Sequence, residues 1–257
     1  MQAAILPVSA GWQWIQDGAR IFKRQPMPMF FWSLMTGFLI TVAYMIPLLG
    51  QMALIIAMPL LTFMSLCACR HIADGDPMLM PMWLEPLRNP DGRKRLIRLG
   101  LAYMACCLAG GIVSTLPFMG DIMNAIGSGG PIDELALMQA VRGPFITFGL
   151  LYVLISALFW HAPALVGWHR IKLTQALFFS MVACWRNKWP FLVYGLSWGA
   201  VFLAVQLLGN LMVDMGMAAS LAQILLTPLN LIVAAILYCS FYPAYVSVFG
   251  ANYPSVK

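Results

Sequence analysis

Few side chains in this sequence have types and spacings that do chemistry, and those few sit in apolar surroundings. His161 is the only ionisable side chain expected well inside a hydrophobic run, and Pro163 beside it leaves nearby carbonyls without helical donors. An intramembrane imidazole serves as a proton relay if a carboxylate partners it, and no comparable run supplies one. A neutral ring bonded to a backbone oxygen is the structural alternative. Gln206 and Asn210 stand four apart, and Gln223, Thr227 and Asn230 follow helical spacing, so on helices each set forms one face. Two facing amide stripes would line a polar cavity for a substrate, or act as interhelical glue worth about 0.6 kcal/mol per contact. Trp185, Arg186, Lys188 and Trp189 form an aromatic and basic collar, whose chemistry is binding of phosphate headgroups or plain anchoring at the membrane surface.

Metal and enzyme chemistry find less support. The chain has 19 methionines, among them the alternating Met78, Met80 and Met82, and thioethers suit Cu(I). Methionine also replaces leucine readily in apolar packing. The six cysteines lack the CxxC or Cys/His spacings of zinc sites, and they imply no disulfide framework. No metal site or cofactor is expected. No GxSxG, HExxH, P-loop or dinucleotide fingerprint occurs, and the carboxylates are scattered, so the chain is not expected to be an enzyme.

The elements that must position these residues follow from composition. Hydrophobic residues make up 61% and charged residues 9% of the 257, against about 45–50% and about 25% in soluble domains. Lipid is the expected solvent. The reading is an all-α membrane protein, a single six-span domain over residues 1–257, with transmembrane helices at about 29–48, 51–69, 97–117, 145–168, 189–213 and 221–249. Pro228 and Pro243 are expected to kink the last helix. Gly110-Gly111 marks a close approach in the third span. No cleavable signal peptide is expected, because the positive charges at Arg20, Lys23 and Arg24 precede the first apolar run without a cleavage site after it.

Amphipathic helices are expected in the interface. Over about 8–25, Trp12, Ile15, Ala19 and Phe22 recur on one face, with Trp12 and Trp14 suited to headgroup depth. From Thr174 to Asn187, Leu177, Met181 and Cys184 with Trp185 form an apolar stripe expected to bury the helix against the bundle or the acyl chains. The segment 70–98 reads as a solvated loop with an interfacial piece at Trp83. The outer loop, 118–144, is expected to carry a short helix that opens at Pro131 and stops at Gly143-Pro144.

Of the 15 lysines and arginines, only Arg142 falls on the side opposite the termini. The positive-inside rule therefore predicts cytoplasmic termini. The net charge of +6 reflects this topology and attraction to anionic lipid, not nucleic-acid binding, since the cations mark span ends and not one solvated face. Basic clusters before the first, third and fifth spans are compatible with three helical-hairpin repeats.

Two stretches carry a resemblance. LPVSAGWQWIQDGARIFKRQPMPMFFW at the start and HAPALVGWHRIKLTQALFFSMVACWRNKWPFLVYGL in the middle resemble the signature regions of a family of Gram-negative bacterial six-span inner-membrane proteins. The pattern ALxxSxxAxxxN falls on Ala176, Leu177, Ser180, Ala183 and Asn187, followed by PFLVYG at 190–195. The resemblance implies an inner-membrane location and a helical bundle, and no activity. The leading functional expectation is a non-enzymatic integral membrane protein organising lipids or partner proteins at the inner leaflet. The alternative is a transporter or channel for a small molecule, lipid or metal ion. Expected partners are anionic headgroups on the cytoplasmic side, and a membrane-protein partner or a second copy of the chain.

Overall fold

The computed structural model describes residues 3–127 and 134–250, and all regular structure among them is helical. The helices are α1 (Ala10–Arg24), α2 (Pro26–Met45), α3 (Leu49–Asp74), α4 (Glu85–Arg88), α5 (Pro90–Thr115), α6 (Met119–Ile126), α7 (Glu134–Phe159), α8 (Ala162–Gly167), α9 (Leu173–Arg186), α10 (Lys188–Asp214) and α11 (Ala219–Phe249). Six segments are long and apolar enough to cross a membrane: Pro26–Met45, Leu49–Asp74, Pro90–Ile126, Leu135–Gly167, Lys188–Asp214 and Ala219–Phe249. They form three antiparallel pairs, α2 with α3, α5 with α7, and α10 with α11. The beginning and end of the described chain meet, the Ala4 N–H donating to the Val248 carbonyl at 2.8 Å. Both therefore lie at the end of the bundle where the lysines and arginines gather, here called the basic end.

Local chemistry sets the helix boundaries. Pro26 opens α2 at a position whose N–H has no helical acceptor. Asn89 caps α5, its Oδ1 accepting from the Asp91 and Gly92 N–H groups at 3.0 and 3.2 Å, with Pro90 as the first helical residue. Between α2 and α3 the link is so tight that Leu48 takes a φ of 65° and Gly50 packs on the Ala43 backbone. Burial is uneven along the bundle. On α10 the buried residues are Pro190, Tyr194 and Trp198, all in its first half, and on α11 they run from Val233 to Val248 with Ala222 alone beyond. The helices pack tightly at the basic end and offer apolar side chains to lipid at the other, where Leu203, Leu207, Ile224 and Leu225 are exposed.

Several expectations need correction. The spans are longer at their basic ends than predicted, because α3 continues to Asp74 and α5 starts at Pro90. The loop between them is correspondingly short, and Trp83 is buried, stacked on Trp32 at 4.3 Å between ring centroids. The fourth span runs unbroken through Gly143-Pro144 from Glu134, so no separate outer helix ends there. Gly143 instead gives room to the Phe118 ring. The part of that expectation on Pro131 lies outside the described residues. A proline stop holds in water, where a helix end can be solvated; in an apolar medium a helix loses less by continuing. In α11 Pro228 and Pro243 lie inside one helix, as expected of prolines that kink and do not end it. Gly110 meets Ile155 and Phe148 as expected, whereas Gly111 faces open space and Gly100 makes the tighter approach, to the Ile56 backbone.

The largest departure is α1. Its buried residues are Ala10, Gly11, Trp14, Ile15, Gly18 and Ile21, so of the expected face of Trp12, Ile15, Ala19 and Phe22 only Ile15 is buried. Trp14 is 2% exposed, packed within the protein, while Trp12 is 49% exposed. The helix docks into the bundle against α10 and α11 because two glycines seven apart let backbones touch. Gly11 lies against Pro190 and Tyr194, and a Cβ on Gly18 would stand 2.7 Å from Ser240 Cα. Trp14 then fills the gap, its Nε1 donating to Ser247 Oγ at 2.8 Å and its ring 5.0 Å from that of Phe191.

Candidate functional site

The residues of the middle stretch converge on a break in the fourth span. Between α7 and α8 the helix opens at Trp160 and His161, since Pro163 follows without an N–H. In an unbroken helix the His161 N–H would bond the Ala157 carbonyl four residues earlier. Ser180, from α9, inserts its hydroxyl there: Oγ accepts from the His161 N–H at 3.0 Å and donates to Ala157 O at 2.8 Å. One side chain thereby completes the interrupted ladder.

Ser180 can reach because α9 turns its small and polar face inward. Ala176, Ser180 and Ala183 are buried at helical spacing and Asn187 continues the row, whereas Leu177 is half-buried and Phe178 is 62% exposed. Of the stripe Leu177, Met181 and Cys184, expected to face the bundle or the acyl chains, only Cys184 is buried in the protein. Against lipid the rule for water inverts: large apolar residues gain nothing by facing protein, and small ones permit contact. Burial pushes the Cys184 thiol up to about 12, with the Ser180 contact pulling the other way. Burial thus favours the neutral thiol form over the thiolate.

Asn187 ends α9 and holds the N-terminal segment. Its Nδ2 donates to Ala4 O at 2.8 Å and Ala183 O at 3.0 Å, and its Oδ1 accepts from the Leu6 N–H at 2.9 Å. The collar surrounds this buried amide. Arg186 closes α9 and Lys188 opens α10, both exposed, and the Lys188 ammonium lies 5.2 Å from the Trp185 ring centroid and 5.7 Å from that of Trp189. With Trp185 65% and Trp189 58% exposed, two indoles flank a cation on the outer surface of the basic end.

The amides of the last two spans come together at the opposite half. Gln206, Asn210, Gln223 and Asn230 line one recess of about 480 Å³ between α10 and α11. Gln206 Nε2 donates to Asn210 Oδ1 at 3.2 Å. Thr227 bonds the Gln223 carbonyl at 2.9 Å, outside the recess wall. All five side chains are exposed, so in this chain alone they glue no helices. His161 belongs to neither group. It is 1% exposed, ringed by Phe191, Tyr245 and Phe249 at 5.2–5.9 Å, and its Nε2 has no hydrogen-bond partner instead of the expected backbone oxygen.

His71 Nδ1 lies 2.9 Å from Cys67 O, and His169 Nε2 lies 2.7 Å from the Tyr245 hydroxyl, burial holding the His169 imidazole below its ordinary value. Among the described residues no three His, Cys, Asp or Glu side chains stand together as a metal set. Met78 is buried and Met82 Sδ lies 3.3 Å from the Leu79 N–H, so these two serve the packing of the short loop.

A probable inner membrane protein of Burkholderia thailandensis is 31% identical over 263 positions, covering 99% of this chain and 96% of the relative. The chain belongs to this family of inner-membrane proteins. No protein-family model and no solved structure matches it. Family membership and six apolar helices together make the protein a multi-pass inner-membrane protein. The sequence missed what Gly11 and Gly18 do within this member of the family. Glycines seven apart on an amphipathic helix were a usable signal for α1. Ser180 and Asn187 were expected to serve neighbouring backbone groups, as they do, but the partners of Ser180 were not foreseeable, since they lie 19 and 23 positions away across a helix break.

Proposed function

We propose that the protein is a non-enzymatic component of the inner membrane that gathers anionic phospholipids around its basic end, and so organises lipids, or proteins that follow those lipids, at the inner leaflet. Both termini lie in the cytoplasm on this reading, as the bias of the cations favours. The observation that carries it is the α9–α10 junction, where exposed Trp185 and Trp189 bracket Lys188 beside Arg186 on a buried Asn187 support. Indoles settle at headgroup depth, and each cation near an anionic surface contributes about 1 kcal/mol. The support is rigid because α9 is tied to the fourth span through Ser180 and to the N-terminal segment through Asn187.

The test reconstitutes the full chain in nanodiscs of mixed phosphatidylcholine and phosphatidylglycerol and measures lipid retention by native mass spectrometry. Replacing two cations in Arg186→Gln/Lys188→Gln removes roughly 2 kcal/mol, about a thirtyfold preference. Retention of phosphatidylglycerol is expected to fall accordingly, and to fall with added salt in the natural chain. Equal retention by both chains rules the reading out.

A second reading, transport, draws on the recess lined by Gln206, Asn210, Gln223 and Asn230. On that reading, Gln206→Leu or Asn230→Leu abolishes a flux while leaving the fold intact.

A further inference from the structure

Away from the basic end, in its outer half, the α10–α11 hairpin stands clear of the rest of the bundle. Apart from α11, α10 packs mainly on α1, through Pro190 and Tyr194, and no α10 residue beyond Trp198 is buried. On α11, Ala222 is the one buried residue before Val233. The face left open carries amides: Gln206, Asn210, Gln223 and Asn230 are all exposed around the recess of about 480 Å³. One hydrogen bond joins them, from Gln206 Nε2 to Asn210 Oδ1 at 3.2 Å. Among the described residues the side-chain amides of Gln223 and Asn230 have no hydrogen-bond partner. At about 1.5 Å per residue, Gln206 and Asn230 lie about 12 and 16 Å in from the outer ends of their helices, and so inside a hydrocarbon layer about 30 Å thick.

Acyl chains offer an amide neither donor nor acceptor, so lipid covers this face poorly. Water covers it poorly too, because Phe202, Leu203, Leu207, Ile224 and Leu225 on the same two helices are 47–67% exposed and belong in an apolar medium. A row of amides bordered by large apolar side chains suits another pair of membrane helices. A second copy of this chain meets the demand by symmetry. An amide is donor and acceptor at once, so a row of amides complements its own kind. A twofold axis along the membrane normal keeps both basic ends on one side and sets each residue at the depth of its twin. With α10 of one copy against α11 of the other, the depths agree. Asn210 stands four residues before the end of α10 at Asp214, and Gln223 four after the start of α11 at Ala219. Gln206 and Asn230 differ in depth by about 4 Å, which a glutamine side chain spans.

We propose that the outer halves of α10 and α11 join two copies of this chain side by side in the membrane, Gln206 of each copy pairing with Asn230 of the other and Asn210 with Gln223. The contact is remote from the collar and does not rest on lipid gathering. It takes up the amides that the transport reading offers to a solute, so the recess is complete only when the second copy closes it.

The full chain, carrying a donor or an acceptor fluorescent protein at its C-terminus, is reconstituted in phosphatidylcholine vesicles, in which the collar has no anionic lipid to hold. Energy transfer is followed as added lipid dilutes the protein. A reversible passage from dimer to monomer is expected. Each interhelical amide contact is worth about a factor of three in association, and the twofold axis doubles every contact. Gln206→Leu or Asn230→Leu is therefore expected to weaken association about eightfold, and the two together no more than either alone, because both remove the same contact. With Asn210→Leu and Gln223→Leu added, the expected loss is about sixtyfold. Asn230→Gln, which keeps an amide, is expected to retain most of the affinity, and Arg186→Gln/Lys188→Gln all of it. Three results overturn the proposal: transfer no greater than random proximity gives at every dilution, losses that multiply between Gln206→Leu and Asn230→Leu, or association unchanged by all four leucines in a chain that keeps its thermal midpoint.

Discussion

Removing the Ser180 hydroxyl asks whether one side chain really completes the broken fourth span. Ser180→Ala deletes two hydrogen bonds, of 3.0 Å from the His161 N–H and 2.8 Å to Ala157 O, and adds no bulk at a position with 0% exposure. What remains is a backbone donor and a backbone acceptor facing one another across a gap shaped for an oxygen atom. An unsatisfied buried group costs about 1–3 kcal/mol, so two cost roughly 2–6 kcal/mol, less whatever the helix recovers by closing directly. An ordinary interhelical side-chain contact in a membrane contributes about 0.6 kcal/mol. The two accounts are therefore separable. The assay is reversible unfolding in mixed micelles by titrated denaturing detergent, with Phe178→Leu on the lipid-facing side of α9 as a control expected to stay within about 0.5 kcal/mol. A loss of about 2 kcal/mol or more is expected for Ser180→Ala. A loss of about 0.6 kcal/mol or less refutes the bridging role.

Three further outcomes follow from the same packing. Gly18→Leu sets a side chain against Ser240, where even a Cβ would stand 2.7 Å from Cα, so α1 should undock and its amides should exchange faster than those of α11 by hydrogen-exchange mass spectrometry. Asn187→Ala removes the amide that holds Ala4 and Leu6, and limited proteolysis should then cut within residues 3–9 well before it cuts the helices. His169 is held below its ordinary value of 6.5 by burial, so the folded state favours the neutral ring. Its contribution to stability is complete above about pH 6.5 and is lost as pH falls below that value, and His169→Gln should flatten the pH dependence of thermal unfolding in that window.

What the sequence disclosed depended on which solvent each residue meets. The six spans were legible because apolar runs of this length have one stable setting. The amide recess was legible too: Gln206 with Asn210 and Gln223 with Asn230 have helical spacing, and the short link from Met215 to Ala218 leaves their helices antiparallel neighbours. The inward faces of α1 and α9 were not. Hydropathy assigns little weight to Gly11, Gly18, Ala176 or Ser180, yet close backbone contact selects such residues, and Leu177 and Phe178 turn toward lipid. Pro144 misled for a related reason, since stop signals learned in water weaken where a helix end cannot be solvated. The open nitrogen of His161 is a property of its neighbours Phe191, Tyr245 and Phe249, which come from two other helices.

Lipid gathering at the basic end is tested most directly in the native membrane. The chain and its Arg186→Gln/Lys188→Gln variant are cut out with polymer, without detergent, and everything retained is identified by mass spectrometry. Enrichment of anionic phospholipid over the bulk membrane, lost in the variant, is the expected result. Bulk lipid composition around both chains contradicts it.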